Sequence, residues 1–254
     1  LATMRPVVTR YFLSDAVNQV GLMPAEPSSC SVSCIQQPPL GGSKVALWVY
    51  MAEVEVAADN GFAVVSHGGY DHLWRMGITA DTGDSYVQAE TLLKEYERGL
   101  AHFGASIAEN CVRTWFFVRD VDIQYKGLVH ARRDYFDQVG LTRDTHYIAS
   151  TGIGGGSPSR RAIHQLGTYA VKGFDQGQVC YLNASSHMSR TSDYGVTFER
   201  GVALRFGDRE HIYVSGTASI DASGSVVHPG DIVLQTERMF ANVEAVLQEG
   251  GQGW

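Results

Sequence analysis

Gln88-Ala-Glu-Thr-Leu-Leu-Lys-Glu-Tyr-Glu-Arg-Gly-Leu-Ala-His-Phe-Gly104 and Gln235-Thr-Glu-Arg-Met-Phe-Ala-Asn-Val-Glu-Ala-Val-Leu-Gln-Glu-Gly-Gly251 align without a gap. Glu90 falls on Glu237, Glu97 on Glu244, Leu100 on Leu247 and Gly104 on Gly251. Leu92, Leu93 and Tyr96 fall on Met239, Phe240 and Val243, which the 3.6-residue period assigns to a buried face. Amphipathic helices share apolar patterns by chance. Shared polar and glycine positions in the same register instead point to an internal duplication.

Working outward from the first helix, read as Tyr86–Phe103, the surroundings are those of a compact α+β unit. Lys44–Met51 and Gly61–Ser66 are β-rich, and Glu53–Ala58 alternates charged and apolar residues. Val112–Val118 is apolar on both alternating faces, as in a strand covered on both sides. A second helix is expected over Tyr125–Val139, stopped by Gly140. Strands near His146–Ala149 and Ala162–Val171 follow, separated by a flexible glycine-rich loop, Thr151–Pro158. Leu1–Ser29 reads as an irregular lead-in.

After Gly173 the pattern restarts. Gln178–Ala184, Thr197–Phe206 and His211–Ser219 read as strands, and Asp231 opens a helix reaching Glu249. Val202-Ala-Leu204 echoes Val45-Ala-Leu47. The expected organisation is an irregular segment 1–29, a first module 30–173 and a second module 174–254. The second copy reaches only the counterpart of Ile107 at Trp254. Its C-terminal part is therefore expected to be missing from this sequence, with a helix face left bare.

Composition narrows the function. Hydrophobic residues make up 44% and charged residues 19% of the 254, ordinary for a globular chain. A formal net charge of −7 with scattered Lys and Arg argues against nucleic acid, and gives no support to a ribonuclease. No apolar run approaches the roughly 20 residues of a membrane span, and the start lacks the core of a secretory leader. The expectation is a cytoplasmic protein with reduced thiols. Cys30, Cys34, Cys111 and Cys180 show no paired metal-ligand spacing, so no metal is expected. Gly152–Gly156 lacks the spacing of a phosphate-binding loop, and no Ser-His-Asp or Cys-His set can be assembled.

Val214-Ser-Gly-Thr-Ala-Ser-Ile-Asp221, then Gly224, Asp231, Gln235-Thr236 and Asn242-Val243, resembles the signature of the Rid (YjgF-type) superfamily. The resemblance covers most of 30–254. It implies two Rid-like (chorismate-mutase-like) modules, each a mixed β-sheet with two helices packed on one face. It also implies trimers with sites between subunits or modules, and hydrolysis of carboxylated enamines and imines without metal or cofactor. More narrowly, Arg113-Thr-Trp-Phe-Phe-Val118, Tyr135-Phe136, Thr151-Gly-Ile-Gly154, Tyr194-Gly195 and Phe198-Glu-Arg200 resemble chorismatases, two-module hydrolases of chorismate. The arginine with which deaminating relatives grip a carboxylate has no counterpart in Thr145-His-Tyr-Ile-Ala149. The acid that chorismatases use near their C-terminus would fall in the missing part. A non-catalytic metabolite-binding or scaffolding protein is the alternative.

Six residues carry the site reading. Arg200 shares strand parity with Phe198 and Val202, which aims a guanidinium at an apolar face. There it needs an anion, either a substrate carboxylate or an internal acid such as Glu199, unless Gly201 makes a bulge that turns it outward. Arg113 alternates with Trp115 and Phe117 under the same argument, or else sits in solvent at the strand start. Tyr194 offers a hydroxyl to a substrate oxygen, or a structural ring. Ser215-Gly216 ends a strand where a backbone N–H can approach a ligand, or simply turns the chain. His146, on the expected site strand, is the candidate proton relay, with a structural histidine as the other reading.

Overall fold

The computed structural model describes residues 4–253. The chain forms two compact units, one running to Tyr135 and including Gly152–Gly173, the other made of Phe136–Thr151 and the chain from Phe174 onward.

The first unit begins with a correction. The segment expected to be irregular contains strand β1 (Arg5–Leu13) and a one-turn helix α1 (Ala16–Gln19), started by Asp15, whose side chain accepts the Asn18 N–H. Val-Val-Thr-Arg-Tyr-Phe-Leu is rich in the β-branched and aromatic residues that suit a pleated sheet. Val7, Val8 and Leu13 are fully buried because β1 is a middle strand. It pairs in parallel with β2 (Ser31–Gln36) and antiparallel with β3 (Val45–Ala52), so this sheet is mixed.

The larger sheet has six strands. These are β4 (Ala57–Asp59), β5 (Phe62–His67), β6 (Tyr70–Thr79), β7 (Cys111–Val118), β8 (Ala149–Gly154) and β9 (His164–Lys172), in the order β4-β5-β6-β9-β7-β8. Strand β6 went unread in the sequence because Asp71, His72, Arg75 and Gly77 interrupt its pattern. Gly77 has φ of 73°, and the pairing with β9 shifts register between Arg75 and Ile78, which is a β-bulge. A Cβ at Gly77 would come within 2.8 Å of the Val32 carbonyl oxygen, so only glycine permits that approach.

The strand expected at His146–Ala149 instead occupies Ala149–Gly154, so half of the supposed flexible loop is sheet. Gly152 is needed there for packing, since a Cβ would meet the Tyr125 ring at 2.6 Å.

Helices α2 (Ser85–His102), α3 (Ile107–Asn110) and α4 (Val121–Gln138) complete this part of the chain. Asp84 caps α2 by accepting the Val87 N–H, and Gly104 ends it at φ of 65°. Leu92, Leu93, Tyr96 and Leu100 are fully buried, as their spacing demands.

The second unit has a three-stranded antiparallel sheet, β10 (Val179–Leu182), β11 (Gly201–Arg205) and β12 (Glu210–Val214), with β11 in the middle. All three strands are shorter than the sequence reading. Helix α5 (Ile232–Glu249) is capped by Asp231, which accepts the Val233 and Leu234 N–H groups. The core joins Leu182, Met188, Ala203, Ile220, Ala245 and Val246.

Two expected equivalences fail on burial. Val202–Leu204 is buried in a middle strand, whereas Val45 and Leu47 stand exposed on the edge strand β3. The buried face of α5 is Asn242, Ala245 and Val246, while Phe240, expected inside, is 51% exposed. A Cβ at Gly201 would meet the Val246 side chain at 2.8 Å, so glycine in β11 sets which face of α5 comes down.

Candidate functional site

Arg200 occupies a bend immediately before β11, so the strand whose parity suggested its direction does not extend to it. It is nevertheless only 2% exposed. Its neighbours are Ser189, whose carbonyl accepts from Nη2 at 2.9 Å, and the rings of Tyr194 and Phe198, whose centroids lie 5.6 and 5.7 Å from the guanidinium carbon. The buried Nε has no hydrogen-bond partner.

Neither structural alternative for this charge holds. Gly201 starts the strand instead of turning Arg200 out to solvent. Glu199 is 8% exposed, and its Oε1 accepts the Tyr147 N–H at 2.8 Å. No Asp or Glu forms an ion pair with Arg200 among the described residues. A buried guanidinium held by one carbonyl and two ring faces is under-neutralised, which is costly unless an anion arrives.

The backbone around Arg200 is tied by several hydrogen bonds. Ser215 N–H donates to the Arg200 carbonyl at 2.8 Å, and Ser215 Oγ donates to the Glu199 carbonyl while accepting the Ser150 N–H. Gly216 N–H donates to the Ser150 carbonyl at 3.2 Å. The Ser215-Gly216 N–H groups therefore hold the Arg200 backbone and its neighbour strand, in place of the ligand approach expected from sequence. Tyr194 ends a short 3-10 turn, Thr191–Tyr194, closed by Gly195 at φ of 82°. Arg143 ties this turn through a 3.0 Å ion pair to Asp193. The Tyr194 ring is 48% exposed, so it forms the outer wall of the Arg200 surroundings.

His146 lies off the sheet, contrary to its expected place on a site strand. Its Nδ1 donates to the Tyr147 carbonyl at 3.0 Å, which leaves Nε2 as the acceptor of the neutral ring. The imidazole stacks on Tyr181 at 4.2 Å with 12° between planes. It lines a polar cavity of about 150 Å³ together with Tyr181, Glu199 and Arg190. Neither the side-chain hydrogen bond nor the ring contacts of Arg200 involve His146.

Arg113 belongs to the first unit and is 5% exposed, so it does not sit in solvent at the strand start. Its guanidinium carbon is 5.0 Å from the Trp115 ring centre, and Arg10 lies 4.1 Å from that same centre. Burial, then the Arg10 charge, push Arg113 down to about 9, and burial pushes Arg10 down to about 10. The sequence reading missed Arg10, which was hidden in a segment taken as irregular, and Glu199, weighed only as a partner for Arg200. It also missed the fully buried Arg132, whose signal was its place between the apolar positions Leu128, Ala131 and Tyr135 of α4. No cluster of three or more His, Cys, Asp or Glu able to hold a metal occurs among the described residues. No described helix is long and apolar enough to cross a membrane.

The chain is a two-unit α+β protein, with a mixed sheet in the first unit and an antiparallel sheet in the second. Its fold is that of a solved chorismatase structure, matched at a TM-score of 0.70 over 98% of this chain and 76% of the other, with 18% identity. Shorter solved chains match somewhat under half of this chain. A YjgF-family protein from Neisseria meningitidis has a TM-score of 0.38 and 13% identity over 48% of this chain and 98% of its own. A YjgF/YER057c/UK114-family protein from Mycobacterium tuberculosis has 0.34 and 17% over 43% and 86%. No protein-family model matches the chain, and comparison with curated proteins finds no match.

Proposed function

We propose that this protein is a hydrolase of a small carboxylated metabolite, an enamine or imine acid or a chorismate-like ring, and that Arg200 anchors the carboxylate. The observation that carries the reading is the buried Arg200 guanidinium with an unpartnered Nε and no acidic partner. A carboxylate offers the two parallel acceptors that a planar guanidinium fork fits. Tyr194 stands beside it as a ring wall with a hydroxyl for a second substrate oxygen, and Ser215 with Gly216 fixes the backbone that aims Arg200. The likeness in fold to chorismatase supports the substrate class. In such a reaction water adds to the C=N or enol-ether carbon and its oxygen becomes the new carbonyl oxygen; with an imine both water protons leave on ammonia, and with an enol ether one proton goes to the methylene carbon and one to the departing hydroxyl. Arg113 is assigned a carboxylate-binding role on the first unit, and the assembly is assigned as a homotrimer in the cytoplasm.

One observation favours a second reading, a non-catalytic binding protein. Among the described residues no Asp, Glu or His side chain hydrogen-bonds or ion-pairs with the Arg200 guanidinium, so the anchor stands without a bonded proton donor or acceptor of that kind. A single experiment separates the two. Pyruvate release from chorismate and ammonia release from an enamine acid are measured beside calorimetric binding of the same compounds. Hydrolysis lost in Arg200→Ala supports the enzyme. Binding without turnover, also lost in Arg200→Ala, supports the binding protein. Binding or activity unchanged in Arg200→Ala removes the residue from both. The expected loss is roughly 30- to 1,000-fold, the value of a desolvated charge-assisted contact, and Arg200→Lys restores only part of it.

A further inference from the structure

The cavity beside His146 is a separate feature from the surroundings of Arg200. At about 150 Å³ it lies well below the roughly 300–1,000 Å³ of pockets for drug-sized ligands, so its occupant is small. Its wall is polar and carries both signs of charge. Glu199 is buried, and only its Oε1 is engaged, by the Tyr147 N–H. Arg190, on the same cavity, makes no side-chain hydrogen bond and no ion pair among the described residues. His146 presents Nε2 as an acceptor, because Nδ1 donates to the Tyr147 carbonyl. Burial, then Glu199, push Tyr181 up to about 12, so its hydroxyl remains a donor at neutral pH.

Arg143 on the same wall is already paired with Asp193. Glu199 and Arg190 share this small cavity without pairing to each other, and so are complementary to a ligand that carries both charges. We propose that this cavity binds a small α-amino acid in its zwitterionic form. The ammonium group bonds the second Glu199 oxygen and His146 Nε2, both acceptors. The carboxylate lies against Arg190, with the Tyr181 hydroxyl as a further donor. A simple anion leaves the buried Glu199 unneutralised and repelled, and a simple amine leaves Arg190 unused. The volume restricts the side chain to the size of those of glycine, alanine or serine.

The test is calorimetric titration of the full chain with L-alanine and L-serine, and with acetate and ethylammonium as the two halves. Binding of the amino acids with a Kd near or below ~1 mM, at least ~10-fold tighter than either half, is the expected result. Glu199→Gln keeps an oxygen for the Tyr147 N–H, so the fold is spared while the charge is lost. It weakens amino-acid binding by about 10- to 100-fold, the worth of a charge-assisted contact. Arg190→Ala, a change at an exposed side chain, has a similar effect. Acetate bound as tightly as L-alanine overturns the proposal. So does binding insensitive to Glu199→Gln, or no binding at about 10 mM.

Discussion

Helices α2 and α5 have 18 residues each, begin on an aspartate cap, and carry the same Gln, Glu, Glu, Leu and Gly positions in one register. Their surroundings differ. Helix α2 is covered along its apolar face, and Gln88 at its start is a hub. The Gln88 amide donates to the Gly83 and Arg161 carbonyls and accepts the Ile163 N–H at 2.8 Å. On α5 the corresponding Gln235 is half-buried and makes no side-chain hydrogen bond among the described residues. Ile232, Val233, Leu234 and Phe240 stand exposed around it. Sequence pattern therefore records which face a helix is able to bury, while coverage depends on neighbours far along the chain, here 73 and 75 residues away.

The comparison is most directly broken by paired truncations. Leu93→Ala removes a fully buried side chain of α2 and is expected to cost about 2–5 kcal/mol in denaturant unfolding. Phe240→Ala, at the aligned position of α5, is expected to cost less than ~1 kcal/mol because half of that ring already contacts solvent. Equal costs would mean that the α5 face is covered in solution.

A pH titration sharpens the same contrast. Ser85, the first residue of α2, accepts from His164 Nε2 at 2.9 Å, and burial pushes His164 down to about 4. Its Nδ1 is buried with no partner, so a second proton would have no acceptor. The unfolded chain takes up that proton near pH 6.5 and the folded chain does not. The stabilisation is thus complete above pH ~6.5 and lost as pH falls toward 4, by about 3 kcal/mol. Position 232, aligned with Ser85, is an exposed isoleucine, so α5 contributes no such slope. The stability difference between wild type and His164→Gln, measured across this range, should shrink by that amount.

The hub and the caps give smaller effects. Gln88→Ala strands the Ile163 N–H and the Arg161 carbonyl, at a cost of about 1–3 kcal/mol, against about 0.5 kcal/mol or less for Gln235→Ala. Asp84→Ala and Asp231→Ala should each cost about 1 kcal/mol, because the caps are local and alike in both helices. Both pairs are read as shifts in unfolding midpoint.

Where the sequence was legible, the signal was local. The helix periods, the Gly104 stop and the covered strand Val112–Val118 depend on residues within a few positions of each other. Strand β1 was missed because Pro6 and Arg10 obscure its apolar pattern; Arg10 lies there against Trp48 and Trp115 and donates to Met76 Sδ. Strand β6 was missed because a bulge at Gly77 breaks its alternation. The burial of Arg200 was legible, although the strand parity used to infer it does not exist at that residue. The cavity by His146 was not legible, since it joins residues 143–147, 181–183 and 190–199 through folding alone.

The position of β9 has a consequence for how the first unit comes to exist. It is the last strand of that unit in the chain, yet it lies between β6 and β7, with Leu73 opposite Ala170 and Phe116 opposite Leu166. During synthesis β6 and β7 are complete long before their shared neighbour is made. Each must wait with an unpaired apolar edge, and closure of the long loop between β6 and β9 precedes any reward from pairing. Insertion of β9 is therefore expected to be the slow event in folding. A ribosome stalled before residue 164 would hold a chain whose two long helices can begin from their own turns while its sheet is still open at the centre.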